Sequence, residues 1–281
     1  MPNPTNVISP INIHGFGRSG TTLLHNLLGC YRFIQVCGET PGLVFHAHRG
    51  GELLLGSHDK EAVGQPHDGR VGGRAVHAVF CALLASSKPV WCQKLGGIPN
   101  SVVWQELVVD ADREYAARPY EFPYAWYWRA LRQSFPLSTD LLILRGWRDI
   151  VASRVNYSKY DPREMVEGLA VYLNLLAHPA SHFDAVFRLE QLVEAPEKIM
   201  GRVCDVIGIT YDPACLAAMN WYAAGGRNNL AAAREAGFSW RGAYDALGGV
   251  FDDEARAVIA PAVERVKVRF GIDLDAGCIG I

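Results

Sequence analysis

The sequence predicts an α/β fold, with a mainly parallel sheet between layers of helix. Three observations lead there. Short apolar runs of strand length alternate with longer runs of helical periodicity. The first apolar run leads into a glycine-rich turn, GFGRSG, at residues 15–20. A helical pattern begins directly after that turn. The chain has 281 residues, 49% of them hydrophobic, which is ample for a large core. With no internal repeat and no low-complexity linker, residues 1–281 read as a single domain.

The elements follow in order. Ile8 to Ile13 reads as a strand with an irregular start at Pro10. Thr21 to Cys30 reads as a helix, because Leu23, Leu24, Leu27 and Leu28 share one face. Val90 to Leu95 is a second strand. Leu141 to Leu144 is a third, an apolar run bounded by Asp140 and Arg145. Ile150 to Ser158 reads as helix and Ala185 to Leu189 as a fourth strand. Ala195 to Ile207 reads as a helix with Pro196 in its first turn. Phe251 to Phe270 is a long closing helix. His46 to Arg74, rich in glycine, histidine and mixed charge, reads as an excursion over the sheet edge of the kind that carries specificity. The stretch YEFPYAWYWRAL, Tyr120 to Leu131, either lines a pocket or packs a helix on the sheet.

The bulk chemistry excludes several classes. A net charge of −2 predicts neither a nucleic-acid nor an anionic-membrane surface. No run reaches the roughly 20 apolar residues that span a bilayer. MPNPTNVISP lacks the basic and apolar regions of a signal peptide, so a cytoplasmic setting is expected. The seven cysteines are scattered without a C-x-x-C pair, as expected of free thiols. His46 and His48 form H-x-H, and His58, His67 and His77 follow, but the spacing is irregular and no metal is assigned.

The turn is suited to an oxyanion. Its glycines let backbone N–H groups point inward, and the following helix directs its positive dipole end to the same place. Arg18, Ser19, Thr21 and Thr22 add a cation and hydroxyl donors. The spacing Gly15-x-x-x-x-Gly20 begins like the phosphate loop of nucleoside triphosphatases, but Thr21 stands where their lysine would be.

GFGRSGTTLLHNLL resembles the 5′-phosphosulfate-binding loop of sulfotransferases that use 3′-phosphoadenosine 5′-phosphosulfate (PAPS). The resemblance is strongest to the branch of tyrosylprotein, carbohydrate and bacterial enzymes. It implies a P-loop-like fold in three layers, with Arg18, Ser19, Gly20, Thr21, Thr22 and Leu23 around the 5′ group. LLILRGWRDIVASRVNY resembles the family's 3′-phosphate segment, which assigns Arg145 and Ser153 to that phosphate. Arg148 and Asp149 read as a pair or a helix cap. FRLEQLVEAP resembles the family's Y-E-x-L-x-x-x-P element, except that Leu189 replaces the tyrosine near the adenine. Glu190 reads as structural. AREAGFSWRGAY loosely resembles a late segment and offers Arg234 as a further phosphate contact.

The resemblance also implies the chemistry. CGETPGL resembles the element that supplies the base in tyrosylprotein sulfotransferases, which makes Glu39 the expected base for the acceptor hydroxyl. Lys94, in WCQKLGG, resembles the lysine that steadies the sulfonate, alongside Arg18. In phenol-type relatives a histidine base follows that lysine by two residues; here the position is Gly96, which favours Glu39. The expected products are a sulfated acceptor and 3′,5′-adenosine bisphosphate. The acceptor is a carbohydrate, a peptide tyrosine, a lipid or a small natural product. Two rivals share the fold: a kinase-like phosphotransferase, and a nucleotide-binding protein without turnover.

Overall fold

The computed structural model describes residues 10–40, 44–48, 75–76, 78–79, 90–95, 122–158, 161–216, 245 and 247–275. Five strands form one sheet: β1 (Ile11–His14), β2 (Ile34–Glu39), β3 (Val90–Lys94), β4 (Thr139–Leu144) and β5 (Ala185–Arg188). Their order is β2-β3-β1-β4-β5, and every neighbouring pair is parallel. The helices are α1 (Thr21–Gly29), α2 (Phe122–Ser134), α3 (Trp147–Ser158), α4 (Pro162–Leu176), α5 (Leu189–Glu194), α6 (Pro196–Ile207) and α7 (Gly249–Phe270).

Strand alternation builds the layers. In β4, Leu142 and Leu144 enter one core while Leu141 and Ile143 enter the other. The first core packs α2, α3, α4 and α7 on one face of the sheet, and the second packs α1, α5 and α6 on the opposite face. The leucine face expected for the first helix is real: Leu23, Leu24, Leu27 and Leu28 are all buried. Trp126, Tyr127 and Trp128 of α2 are buried almost completely. The aromatic stretch therefore packs a helix on the sheet.

The boundaries moved by a few residues. α3 begins at Trp147, three residues before the expected start, and Leu189 opens α5 where it was expected to end a strand. β2 and α4 went unmarked in the sequence. α4 has a conventional start, with Pro162 in the first turn and Asp161 capping the Arg163 amide. Its buried face packs against α7. Of the expected excursion, His46 to His48 end a helical segment, residues 44–48, that puts Val44 and Phe45 in the core; residues 49–74 lie outside the described residues. His48 is buried edge-on against Trp126 and bonds Gln133 at 3.0 Å, which is a packing role.

One face of β1 carries polar side chains into the interior. Asn12 and His14 are fully buried, and both donate to Asp140 Oδ1, at 3.1 and 2.7 Å. Ser138 Oγ donates to the other carboxylate oxygen at 2.9 Å. Burial alone would push the Asp140 carboxyl up, but His14, Asn12 and Ser138 together hold it below the ordinary carboxylate range. His14 also packs against Trp128 and Phe183, so it belongs to the core.

A depressed carboxylate contributes stability above its unfolded pKa, and that stability is lost as pH falls through the folded value. Unfolding of the wild type should therefore become easier in acid, below about pH 4, partly through Asp140. Asp140→Ala should cost about 3–5 kcal/mol at neutral pH by leaving buried donors unpaired. Denaturant titration across pH measures both effects; an Asp140→Ala chain as stable as wild type contradicts the account.

Candidate active site

The five described strands are all parallel, so their C-terminal ends share one edge. The helix after β1 goes to one face of the sheet and the helix after β4 to the other. The connections part between β1 and β4, and this parting opens the crevice where α/β sheets bind ligands.

The glycine-rich turn fills one side of that crevice. The Ser19 amide donates to Phe16 C=O at 3.0 Å, which curls the loop. Gly20 is the N-cap of α1 at φ 101° and brings no side chain to cap it. The first-turn amides of Thr21, Thr22 and Leu23 are thus presented to an occupant of the loop, with the helix dipole behind them. Ser19 Oγ is buried and has no hydrogen-bond partner among the described residues. Thr21 is buried and Thr22 exposed. A Cβ on Gly20 would lie 2.6 Å from Leu189 Cδ1. Leu189, the departure from the family pattern, is therefore the floor under the loop.

Arg18 links this loop to the second motif. It sits in the left-handed region at φ 78°, unusual for a residue with a side chain. Arg145 Nη1 donates to its carbonyl at 3.1 Å, and its own Nε donates to Ser153 Oγ at 3.1 Å. Arg145 leaves the end of β4, Ser153 lies in α3, and both are only 3% exposed. The structure thus brings the two anion motifs together. Arg154, the neighbour of Ser153, stands over Gly17, with Nη1 3.4 Å from where a Cβ would be. In the sequence, the one signal for Arg154 is a cation directly after Ser153.

The turn after Arg145 is anchored from below. The Gly146 amide donates to Glu190 Oε1 at 3.2 Å, and Arg188 Nε donates to Glu190 Oε2 at 3.0 Å. Glu190 is structural, as read. Arg148 bonds Asp252 at 2.9 Å and Asp275 at 3.2 Å, so it ties α3 to the first turn of α7 and to the segment that follows that helix. Asp149 stands in the first turn of α3, where a carboxylate suits the dipole.

Beyond β1, on the side away from β4, lies the end of β3. Lys94 Nζ donates to Thr22 Oγ1 at 3.2 Å. Glu39 ends β2 and is the register partner of Lys94 across the β2–β3 ladder. Tyr172 reaches from α4 into the gap: its hydroxyl accepts the Gly15 amide at 3.0 Å and donates to Leu95 C=O at 3.4 Å. Burial pushes this phenol far above its ordinary pKa, so it stays protonated. Arg234, Gly96, His58, His67 and His77 lie outside the described residues.

The arrangement collects Arg18, Lys94, Arg145 and Arg154 around one helix N-terminus on a chain of net charge −2. Such a concentration of cations at a helix start suits an anionic ligand. Among the described residues, no cluster of histidine, cysteine or carboxylate is placed to hold a metal ion. No described helix is long and apolar enough to cross a membrane.

Comparisons with known proteins bear on the family of the chain. A comparison with curated proteins finds no match. Among solved structures, the sulfotransferase domain from the curacin biosynthetic pathway aligns at 14% identity with a TM-score of 0.42, over 79% of this chain and 82% of that one. Sulfotransferase STF9 from Mycobacterium avium aligns at 13% identity with a TM-score of 0.47, over 92% of this chain and 76% of that one. The sequence profile described as the sulfotransferase family matches residues 10–213, which include the loop, Glu39, Lys94, the second anion motif and the β5–α6 segment. The chain belongs to the sulfotransferase family.

Proposed function

We propose that this chain is a single-domain sulfotransferase that moves the sulfuryl group of PAPS, in line and without a metal, to an acceptor hydroxyl. The carrying observation is the clasp on Arg18, which joins the 5′ loop to Arg145 and Ser153 in one anion site. The donor set fits a nucleotide with phosphate groups at two positions. Ser19 Oγ is a buried donor awaiting an acceptor, and the uncapped start of α1 suits the 5′ group. Arg145 offers a planar fork, and Ser153 a short donor, for the 3′-phosphate.

PAPS supplies an activated sulfuryl group whose leaving group is the 5′-phosphate. The protein's part is charge and proton management. Arg18, Lys94 and the α1 amides stabilise charge on the leaving oxygen. A sulfuryl group carries less charge than a phosphoryl group, so this set suffices. Glu39, on the strand end beside Lys94, takes the acceptor proton. The acceptor is a small molecule, a carbohydrate or a peptide; nucleic acid has no part in the reading. The Thr21 position and the arginine ending β4 run against a kinase-like phosphotransferase, which needs a lysine and a metal-binding carboxylate there.

Calorimetry tests the ligand. 3′,5′-Adenosine bisphosphate should bind more tightly than ADP or ATP; tighter ATP binding would favour the kinase-like reading. Arg145→Ala should weaken bisphosphate binding by roughly 10- to 100-fold and AMP binding much less. Equal losses would misplace the 3′ site. Glu39→Gln should keep bisphosphate affinity and slow transfer from radiolabelled PAPS, to a panel of phenols, sugars and a tyrosine peptide, by about 100-fold or more. Full turnover in that variant, or no transfer by the wild type, would overturn the assignment. Arg154→Ala should weaken bisphosphate binding by about 10-fold, without changing thermal stability. Unchanged affinity would remove Arg154 from the site.

A further inference from the structure

β2 does not run straight to its end. Its register against β3 shifts between Val36 and Glu39, and Gly38 adopts φ 72°. A bulge at a strand end re-aims the residues that follow it. Two independent sets of bonds hold this one.

On the α1 side, the Gly38 amide donates to His25 Nε2 at 3.1 Å. That bond requires Nε2 to carry no proton. His25 is buried in the helix that starts in the phosphate loop, so the loop and the bulge share one rigid element. On the β3 side, Thr40 is fixed at three points. Its amide donates to Lys94 C=O at 3.3 Å, and its carbonyl accepts the Val44 amide at 3.0 Å. Its hydroxyl donates to Gln93 Oε1. Gln93 Nε2 in turn donates to Asn12 Oδ1 at 2.7 Å, and Asn12 Nδ2 donates to Asp140 Oδ1. Every bond in this line points toward the ionised Asp140 carboxylate.

Such a ladder is costly to bury and adds little that apolar residues of equal size would not. What it does supply is direction. It fixes where the Thr40 hydroxyl points, and with it the Glu39–Thr40 peptide.

We propose that His25, Thr40 and Gln93 are positioning residues for Glu39, setting the acceptor-side base from both sides of the β2 bulge. The inference rests on the reading of Glu39 as the base. In the step concerned, the acceptor oxygen bonds to sulfur. The bond from sulfur to the 5′-phosphate oxygen breaks, its electron pair leaves with the phosphate, and the acceptor proton passes to the Glu39 carboxylate. Water can serve as acceptor, giving sulfate and adenosine bisphosphate.

The test uses the full chain with radiolabelled PAPS and water, following sulfate release, alongside bisphosphate calorimetry and thermal unfolding. Thr40→Val and Gln93→Met should each slow release by about 10- to 100-fold. KM for PAPS and bisphosphate affinity should stay within about twofold, since the cradle is untouched. Thr40→Ser keeps the hydroxyl and should restore the rate. Adding Thr40→Val to Glu39→Gln should cost nothing further, because both act through one carboxylate. A wild-type rate in Thr40→Val beside a slow Glu39→Gln overturns the positioning role and leaves Glu39 as base. A wild-type rate in Glu39→Gln overturns the base assignment, and the positioning role with it. Parallel loss of turnover and bisphosphate affinity in Thr40→Val also overturns the proposal, by reducing Thr40 to a structural part. Should Thr40→Val fail to fold, Gln93→Met breaks the same ladder one bond further on and is read in the same way.

Discussion

The clasp on Arg18 is the constraint on which the site depends. A residue with a side chain in the left-handed region costs about 1–2 kcal/mol and persists only where its surroundings fix it. Here they do so twice, through the carbonyl to Arg145 and through the guanidinium to Ser153. The loop after β1 and the turn after β4 therefore form one unit. Its distal support comes from Glu190 beneath Gly146 and Leu189 beneath Gly20. Removing Arg145 would take away a cation and one of the two bonds on Arg18, while the bond to Ser153 would still hold the loop.

A second constraint runs across the sheet. Asp140, Asn12, Gln93 and Thr40 form a polar seam from β4 through β1 and β3 to the end of β2, within an otherwise apolar sandwich. Each member finds a partner, which is the condition for tolerating polar groups at that depth. The seam ends at Thr40, next to Glu39, so the sheet interior and the end of β2 are mechanically joined. Tyr172 makes a comparable link one layer out, between Gly15 and Leu95.

Much of the fold could be read along the chain, and the failures have physical causes. β3, β4 and β5 contain short apolar runs, and β1, despite Asn12 and His14, was marked by the glycine-rich turn that follows it. β2 is IQVCGE, with a polar residue and a bulge glycine that break the pattern. The α4 helix carries an apolar face and a proline at its start, but nothing nearby gave it a motif to attach to. Leu189 read as a missing adenine contact because only its resemblance was visible; its packing against Gly20 exists only after folding. Arg154 was passed over because sequence adjacency to Ser153 does not say that its guanidinium returns over Gly17.

The sequence alone determined the local chemistry: a glycine turn that opens a helix, a strand that ends in arginine, and a serine eight residues beyond that arginine. These are short-range patterns, set by backbone preference and side-chain type within one or two elements. Only the tertiary structure decided that Arg18 joins the glycine-rich turn to Arg145 and Ser153, that Lys94 meets Thr22, and that a bulge held by His25 and Thr40 carries Glu39. Those contacts join residues 13 to 135 positions apart. Their geometry depends on strand order and register, which a linear pattern does not encode. The glycine-rich turn alone was legible as an oxyanion cradle; the fold joined it to Arg145 and Ser153.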